Sequence, residues 1–136
     1  MDIKEWTQTY INFNSLKYKN NQIEMDETSC IHTYVEKGEQ KKVRYFFSNE
    51  LENLINHIAM IDFDKIYFVC DNTKHNVDFL ISKWDKFISN PRLIILFIDI
   101  NTQSKWLIRP QLHNSIADKE SLKEGIYSLY SSSKES

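Results

Sequence analysis

The chain has 136 residues and a formal net charge of −2, with 41% apolar and 26% charged residues, a composition typical of one folded domain rather than of a disordered segment. The near-neutral charge argues against a globally basic nucleic-acid-binding protein, although it is compatible with a local basic patch. The two glycines are too few for a phosphate-binding loop, which predicts that the chain is not an ordinary ATPase or dinucleotide dehydrogenase and uses no nucleotide cofactor.

In the first half of the chain, the spacing of apolar residues changes from helical to strand-like and back. An amphipathic helix is predicted at the start by apolar residues at three- and four-residue spacing, namely Ile3, Trp6, Tyr10, Phe13 and Leu16. The polar segment KYKNNQ ends this pattern. The segment SCIHTYVEKGEQKKVRYFFS then contains two β-prone runs around a glycine-containing turn, which predicts a β-hairpin. A second apolar stripe, from Leu51 to Ile61, predicts a second helix.

The second half of the chain alternates buried strands with helices. DKIYFVCD predicts a buried strand, and HNVDFLISKWDKFIS predicts a helix that ends before Pro91. RLIILFIDI predicts a second buried strand, and KWLIRP an edge strand that ends at Pro110. We expect the last helix to begin near Ser115 or Asp118, and residues 131–136 to form a disordered polar tail.

These elements predict a single α/β domain over residues 1–130, with the element order α-β-β-α-β-α-β-β-α. The two runs that lack polar alternation are expected to be parallel strands covered on both faces. Right-handed crossovers place them side by side, and the hairpins supply antiparallel strands at the sides. We therefore expect a sandwich with a mixed sheet of about five strands, two of them central and parallel, flanked by about four helices.

Asp71 and Asp99 each close one of the two buried runs, and they allow two interpretations. Ligands of open α/β sheets collect beyond the carboxyl ends of parallel strands, where two neighbouring carboxylates could hold Mg²⁺ or Mn²⁺ in a nuclease or phosphoesterase. Asn72 and Asn101 could add oxygen ligands, and His75 could act as a base or ligand. Alternatively, both aspartates are turn residues. We favour the turns, because no later strand supplies the third acidic ligand that metal nucleases usually need.

The two cysteines, Cys30 and Cys70, lie in apolar, strand-like segments. Together with His32 and His75 they could form a zinc site, but their spacing matches no closed structural zinc pattern. A reactive thiolate is also disfavoured, since it needs an electropositive and partly exposed setting. We expect reduced, buried thiols, no cofactor and no membrane association. A cytoplasmic location is expected, because the N-terminus lacks the pattern of a secretory signal.

The first predicted hairpin carries a cluster of basic and aromatic side chains, namely Tyr34, Lys37, Lys41, Lys42, Arg44 and Tyr45. Basic groups pair with nucleic-acid phosphates, and tyrosine rings offer stacking surfaces to unpaired bases. Lysines on edge strands, however, commonly prevent edge-to-edge aggregation, and Glu36 and Glu39 reduce the local positive charge. We favour the protective role and keep nucleic-acid binding as an alternative.

The segment KWLIRPQLH is the preferred interaction surface. Trp106, Arg109 and His113 lie on or just after the predicted edge strand, and tryptophan and arginine are over-represented in interface hot spots. The alternative, to which we give equal weight, is that Trp106 covers the core. We therefore expect a non-catalytic α/β binding protein or accessory subunit that recognises another protein, or a second copy of itself, through this strand. The metal-dependent enzyme and the nucleic-acid-binding module remain as alternatives.

Gly125 lies inside the predicted last helix, between Leu122 and Leu129. A glycine at such a position costs about 1 kcal/mol of helix propensity relative to alanine. The simplest explanation is a close approach of this helix to the sheet, which would leave no room for a side chain.

Overall fold

The computed structural model describes residues 1–135. The strands are β1 (Lys19–Met25), β2 (Ser29–Glu36), β3 (Glu39–Phe47), β4 (Lys65–Asp71), β5 (Leu93–Asp99) and β6 (Ser104–Ile108). The α-helices are α1 (Ile3–Ser15), α2 (Lys74–Ser82), α3 (Trp84–Phe87), α4 (Pro110–Ile116) and α5 (Lys119–Glu135), and a 3-10 helix spans Leu51–His57. The predicted α/β class and the mixed sheet are confirmed.

The strands lie in the sheet in chain order, from β1 to β6. The pairs β1/β2, β2/β3 and β5/β6 are antiparallel, whereas β3, β4 and β5 run parallel to one another. In the parallel pairing of β3 with β4, Val43 is opposite Lys65 and Tyr45 is opposite Tyr67. The prediction of two parallel strands was wrong by one, because the second strand of the first hairpin also runs parallel to β4.

β1 is the strand that the sequence did not predict, and it raises the number of strands from five to six. Its sequence, KNNQIEM, is mostly exposed, so it has no apolar alternation that would indicate a strand. It forms through backbone pairing with β2, in which Ile23 is opposite His32. The paired residues are close in the sequence, since Met25 is opposite Cys30, but backbone pairing leaves no periodic pattern in exposed side chains.

The two faces of the sheet carry separate apolar cores. One face packs against the 3-10 helix, α2, α3 and α5, and its core includes Phe46, Leu51, Phe68, Val77, Leu80, Phe87, Phe97 and Leu122. The other face packs against α1, and its core includes Ile11, Tyr45, Phe47, Val69, Leu96 and Ile98. We call these the closed face and the α1 face. β4 and β5 contribute alternate residues to both, as expected of strands covered on both sides.

The helices after the strands are shorter and more divided than the apolar pattern predicts. The stripe after β3 forms a 3-10 helix that ends at His57. The long helix predicted after β4 is split at Lys83 into α2 and α3. The last helical region consists of α4, which begins at Pro110, and α5, which follows Asp118.

None of the helices in the described part of the chain is long and apolar enough to cross a membrane.

α5 differs from the prediction in two respects. It includes residues 131–135 of the predicted disordered tail, whereas residue 136 lies outside the described residues. Ser104 on β6 donates a hydrogen bond from Oγ to the carbonyl oxygen of Ser133 at 3.2 Å, which ties this part of the helix to the sheet. A Cβ added at Gly125 would meet no atom within 4 Å, so the expected close approach to the sheet was wrong.

Candidate functional site

Asp71 and Asp99 lie at the carboxyl ends of neighbouring parallel strands and border the same open cavity of about 330 Å³. Asp71 is paired with Ile98, so Asp99, one residue further along, projects from the opposite face of the sheet. Asp71 Oδ2 accepts a hydrogen bond from Asn49 Nδ2 at 2.9 Å. Asp99 Oδ1 accepts hydrogen bonds from backbone N–H groups of the turn that leads to β6. The two carboxylates therefore have separate structural partners on opposite faces.

His75 lies on α2, and it does not border this cavity. Its Nε2 is 3.2 Å from a carboxylate oxygen of Glu50 and 3.5 Å from one of Glu52. The three side chains are exposed, and their potential ligand atoms lie within 4.8 Å of one another. Exposed polar contacts of this kind are common and contribute little to stability. His75 thus contacts two glutamates and does not border the cavity of the two aspartates.

The three residues of the predicted protein interface have different surroundings. Trp106 is 7% exposed, stacks on Phe97 with 4.2 Å between ring centroids, and donates from Nε1 to Asn72 Oδ1 at 3.0 Å. It therefore belongs to the core of the closed face. His113 Nδ1 lies 2.9 Å from the carbonyl oxygen and 3.1 Å from the backbone nitrogen of Arg109, at the start of α4. The side chain of Arg109 is exposed and points to the α1 face.

The alternation of β2 and β3 divides the basic hairpin between the two faces. One set lies on the α1 face and consists of Tyr34, Lys41 and Tyr45. The other set lies on the closed face and consists of Lys42 and Arg44. Lys41 Nζ lies 3.1 Å from a carboxylate oxygen of Glu39, and Arg44 Nη2 donates to Ser29 Oγ at 2.9 Å. Lys37 lies exposed in the turn. The basic residues of the hairpin consequently do not form one surface.

Cys30 and Cys70 lie on opposite faces of the sheet, the first in the core of the α1 face and the second in that of the closed face. Their thiols therefore do not converge with His32 and His75 into a zinc site. Burial raises the pKa of Cys30 to about 11 and the pKa of Cys70 well above its usual range. Both thiols are protonated at neutral pH, which makes them poor nucleophiles.

A cleft on the α1 face brings together side chains that are far apart in the sequence. It has a volume of about 180 Å³ and is lined by Tyr10, Asn14, Lys17, Tyr18, His32, Tyr34, Val43, Tyr45, Lys65, Tyr67 and Arg109. We call it the tyrosine cleft. Its walls come from α1 and the turn after it, from β2, β3 and β4, and from the residue that follows β6.

Strand register places the tyrosine rings of adjacent strands together on this face. Tyr45 of β3 and Tyr67 of β4 are paired, and their rings stack with 4.5 Å between centroids. Tyr10 of α1 meets Tyr45 edge-on at 6.5 Å. Tyr18, which follows α1, stacks on Tyr34 of β2 at 3.9 Å. Each ring is held by another ring, so the walls of the cleft are preformed.

The tyrosine cleft is electropositive. Lys17, Lys65 and Arg109 line it, and no aspartate or glutamate within residues 1–133 does so. Burial raises the pKa of Tyr67 to about 12, against a smaller opposing effect of the Arg109 charge. Burial also raises the pKa of Tyr45. At physiological pH these tyrosines therefore carry neutral hydroxyl groups that can donate hydrogen bonds.

The sequence pointed to four residues of this cleft, but in separate roles. Tyr34 and Tyr45 were assigned to the base-stacking hairpin, Arg109 to the protein interface and His32 to the alternative zinc site, and the structure places all four in one cavity. Lys65 and Tyr67 were missed. The signal that could have found them is the alternation along β4, which puts these two residues on one face and apolar residues on the other. Their convergence with α1 depends on tertiary packing.

The two cavities described above differ in chemistry. The tyrosine cleft offers cations and hydroxyl donors, whereas the cavity beside Asp71 and Asp99 is lined by carboxylate and amide groups. A functional conclusion has to come from this chemistry, because comparisons with protein-family models, with curated proteins and with solved structures find no match to this chain.

Proposed function

We propose that the chain is a non-catalytic binding protein whose ligand carries an anionic group and enters the tyrosine cleft. The observation that supports this function is the convergence of Lys17, Lys65 and Arg109 with five tyrosines in a cavity that no described carboxylate lines. The chain as a whole has a net charge of −2, so the positive charge of the cleft is a local feature. A cleft lined by one sign of charge concentrates ligands of the opposite sign.

The donor groups of the cleft suit an oxyanion. The guanidinium of Arg109 presents a planar set of N–H donors that matches carboxylate and phosphate oxygens, and a lysine ammonium acts as a compact point charge. Tyrosine hydroxyls add neutral donors. The volume of about 180 Å³ is below the roughly 300–1,000 Å³ of pockets that bury drug-sized ligands. The cleft therefore fits a small ligand or one end of a larger one.

The state of the lining residues supports binding rather than catalysis. Tyr45 and Tyr67 keep their protons at physiological pH, because burial raises their pKa. A nucleophile needs a neighbouring base or a lowered pKa for activation, and the pKa values of these tyrosines are shifted in the opposite direction. The thiols of Cys30 and Cys70 do not line the cleft. What the cleft offers is a set of positive charges and hydrogen-bond donors in fixed positions.

The proposal keeps the binding role expected from the sequence but moves the binding surface. Trp106 is part of the closed-face core, so its side chain is not available to a partner. Arg109 contributes instead to the tyrosine cleft. A partner, large or small, would be recognised through the acidic group that it places in the cleft.

Titration with inorganic phosphate, followed by NMR, tests this function. We expect the ring signals of Tyr45 and Tyr67 to shift in a saturable way. Arg109→Gln should weaken the affinity about tenfold or more, because a hydrogen bond to a charged group contributes about 1.5–3 kcal/mol. Lys86→Gln is the matched control, since it removes one exposed positive charge from α3 on the other side of the sheet. It should leave the affinity unchanged.

Two results would contradict the proposed function. One is the absence of any saturable shift of the tyrosine signals. The other is an equal affinity of the wild type and of the Arg109→Gln variant, since the positive charges of the cleft would then not take part in binding.

A further inference from the structure

His32 lies in the wall of the tyrosine cleft and is 2% exposed. Its ring lies near those of Tyr18 and Tyr34, with centroid distances of 6.2 and 4.7 Å. The proposed function so far uses only the permanent cations and the tyrosines. A histidine in the same wall adds a group that can gain a proton near neutral pH.

Hydrogen bonds define which ring nitrogen of His32 carries the proton. Asn21 Nδ2 donates to the carbonyl oxygens of Ser15 and Tyr18, at 2.9 and 3.0 Å, so Asn21 Oδ1 is the acceptor that faces the ring. His32 Nε2 lies 2.9 Å from that oxygen and therefore donates to it. In the neutral ring, Nδ1 then holds the lone pair and is the atom that can accept a further proton.

The titratable and charged groups that share the cleft with His32 are neutral or cationic. They are Tyr10 of α1, Lys17 and Tyr18 after α1, Tyr34 of β2, Tyr45 of β3, Lys65 and Tyr67 of β4, and Arg109 after β6. Within the described residues, no carboxylate in this cavity compensates a charge on the ring. Burial lowers the pKa of His32 below its usual value of 6.5. In the ligand-free protein the ring is therefore neutral at neutral pH.

We propose that the ligand of the tyrosine cleft is a dianionic phosphate monoester, and that His32 takes up one proton when this ligand binds. This inference rests on the proposed function, because it names the ligand class of the same cleft. The donors reach the cavity from different directions, with Lys17 after α1, Lys65 on the sheet and Arg109 beyond β6. A phosphate group offers three strong acceptor oxygens, whereas a carboxylate offers two in one plane. The phosphate group can therefore be contacted from all of these directions.

Proton uptake follows from the charge of the ligand. Two negative charges in the cleft stabilise the protonated ring, so the pKa of His32 is higher in the complex than in the free protein. Between these two pKa values, binding takes up a proton, and the affinity increases as the pH falls, by about tenfold per pH unit at most. Above the pKa of the complex, the ring is neutral in both states and the affinity is independent of pH.

Sulfate is the probe for this linkage, because it stays a dianion over the relevant pH range, whereas a phosphate monoester itself titrates near pH 6. Calorimetric titrations at about pH 6 and about pH 8, each in two buffers of different ionisation enthalpy, count the protons taken up. We expect up to one proton in the wild type at the lower pH and none in His32→Gln. His75→Gln, which changes an exposed histidine outside the cleft, should behave like the wild type.

The outcomes separate this inference from the proposed function. Sulfate binding without proton uptake, or with equal uptake in His32→Gln, would overturn the role of His32 and leave anion binding in place. Absence of binding of both sulfate and phosphate would overturn both proposals. Because His32 is buried, NMR titration of its ring in the wild type provides a measurement that needs no variant. Its pKa should rise when sulfate is added, and an unchanged pKa would contradict the inference.

The ligand class is tested with methyl phosphate, succinate and acetate at about pH 7. We expect methyl phosphate to bind most tightly and acetate most weakly, since acetate has one charge and two oxygens. A tighter complex with succinate than with methyl phosphate would show that the cleft prefers a dicarboxylate, and the assignment to phosphate monoesters would be wrong.

Discussion

The two faces of the sheet are built from the same strands but differ in the polarity of their aromatic side chains. Phe46 and Phe68 point to the closed face, and their neighbours in sequence, Tyr45 and Tyr67, point to the α1 face. Phe68 is fully buried, whereas Tyr67 is half-buried in the wall of the tyrosine cleft. A tyrosine can bury its ring while its hydroxyl needs a polar partner or water. Tyr67 thus lies where the cover of the sheet is incomplete, whereas Tyr45 is buried beside it.

The comparison also shows how a small domain combines a continuous apolar core with an open cleft. On the closed face, α2, α3, α5 and the 3-10 helix bury a continuous apolar core. On the α1 face, α1 packs on part of the sheet, and the cleft opens beside its C-terminal end. We infer that the closed face contributes most of the stability, whereas the α1 face carries the cleft of the proposed function.

Reciprocal exchange of one hydroxyl group is the strongest test of this difference. Phe68→Tyr should lower the free energy of unfolding by about 2–4 kcal/mol, because it buries an unpaired hydroxyl and overpacks the core. Tyr67→Phe removes the same group from the α1 face and should change the stability by less than about 0.5 kcal/mol. Urea denaturation of both variants measures these values. Equal losses would show that the two faces do not differ in this way.

Trp106→Phe tests whether β6 belongs to the closed core or to an interface. Asn72 is 2% exposed, and its Nδ2 has no hydrogen-bond partner among the described residues. Loss of the Trp106 donor also leaves Oδ1 of Asn72 unpaired, which should lower the free energy of unfolding by about 1–3 kcal/mol. Urea denaturation measures this loss, and light scattering should show no change in association. A variant of unchanged stability that lost an association would restore the edge strand as the interaction surface.

Gly125→Ala should change the stability by a smaller amount and in the opposite direction, towards a more stable protein. The position faces open space on α5, so alanine should raise the free energy of unfolding by about 1 kcal/mol through helix propensity. Gly38→Ala is the contrasting variant. Gly38 has a φ of +79° in the turn between β2 and β3, so the substitution should destabilise the protein. Thermal unfolding compares the two. Destabilisation by Gly125→Ala would mean that the outer side of α5 is packed in solution.

The elements that were predicted correctly are those whose signal is local. α1 and the two central strands follow from the spacing of apolar side chains, which any short window of sequence contains. β1 was missed because its side chains are mostly exposed, so its pairing with β2 leaves no pattern. The division of the helix after β4 at Lys83 was missed because the apolar stripe continues across the break.

By itself, the sequence determined the α/β class, the positions of the buried strands and the absence of a glycine-rich phosphate loop. The tertiary structure decided which side chains meet. The register of parallel strands put Asp71 and Asp99 on opposite faces, and it brought Tyr45 beside Tyr67. The return of β6 along β5 added Arg109 to the same cleft. The physical reason is that apolar periodicity acts over a few residues, whereas register and crossovers join residues that are tens of positions apart.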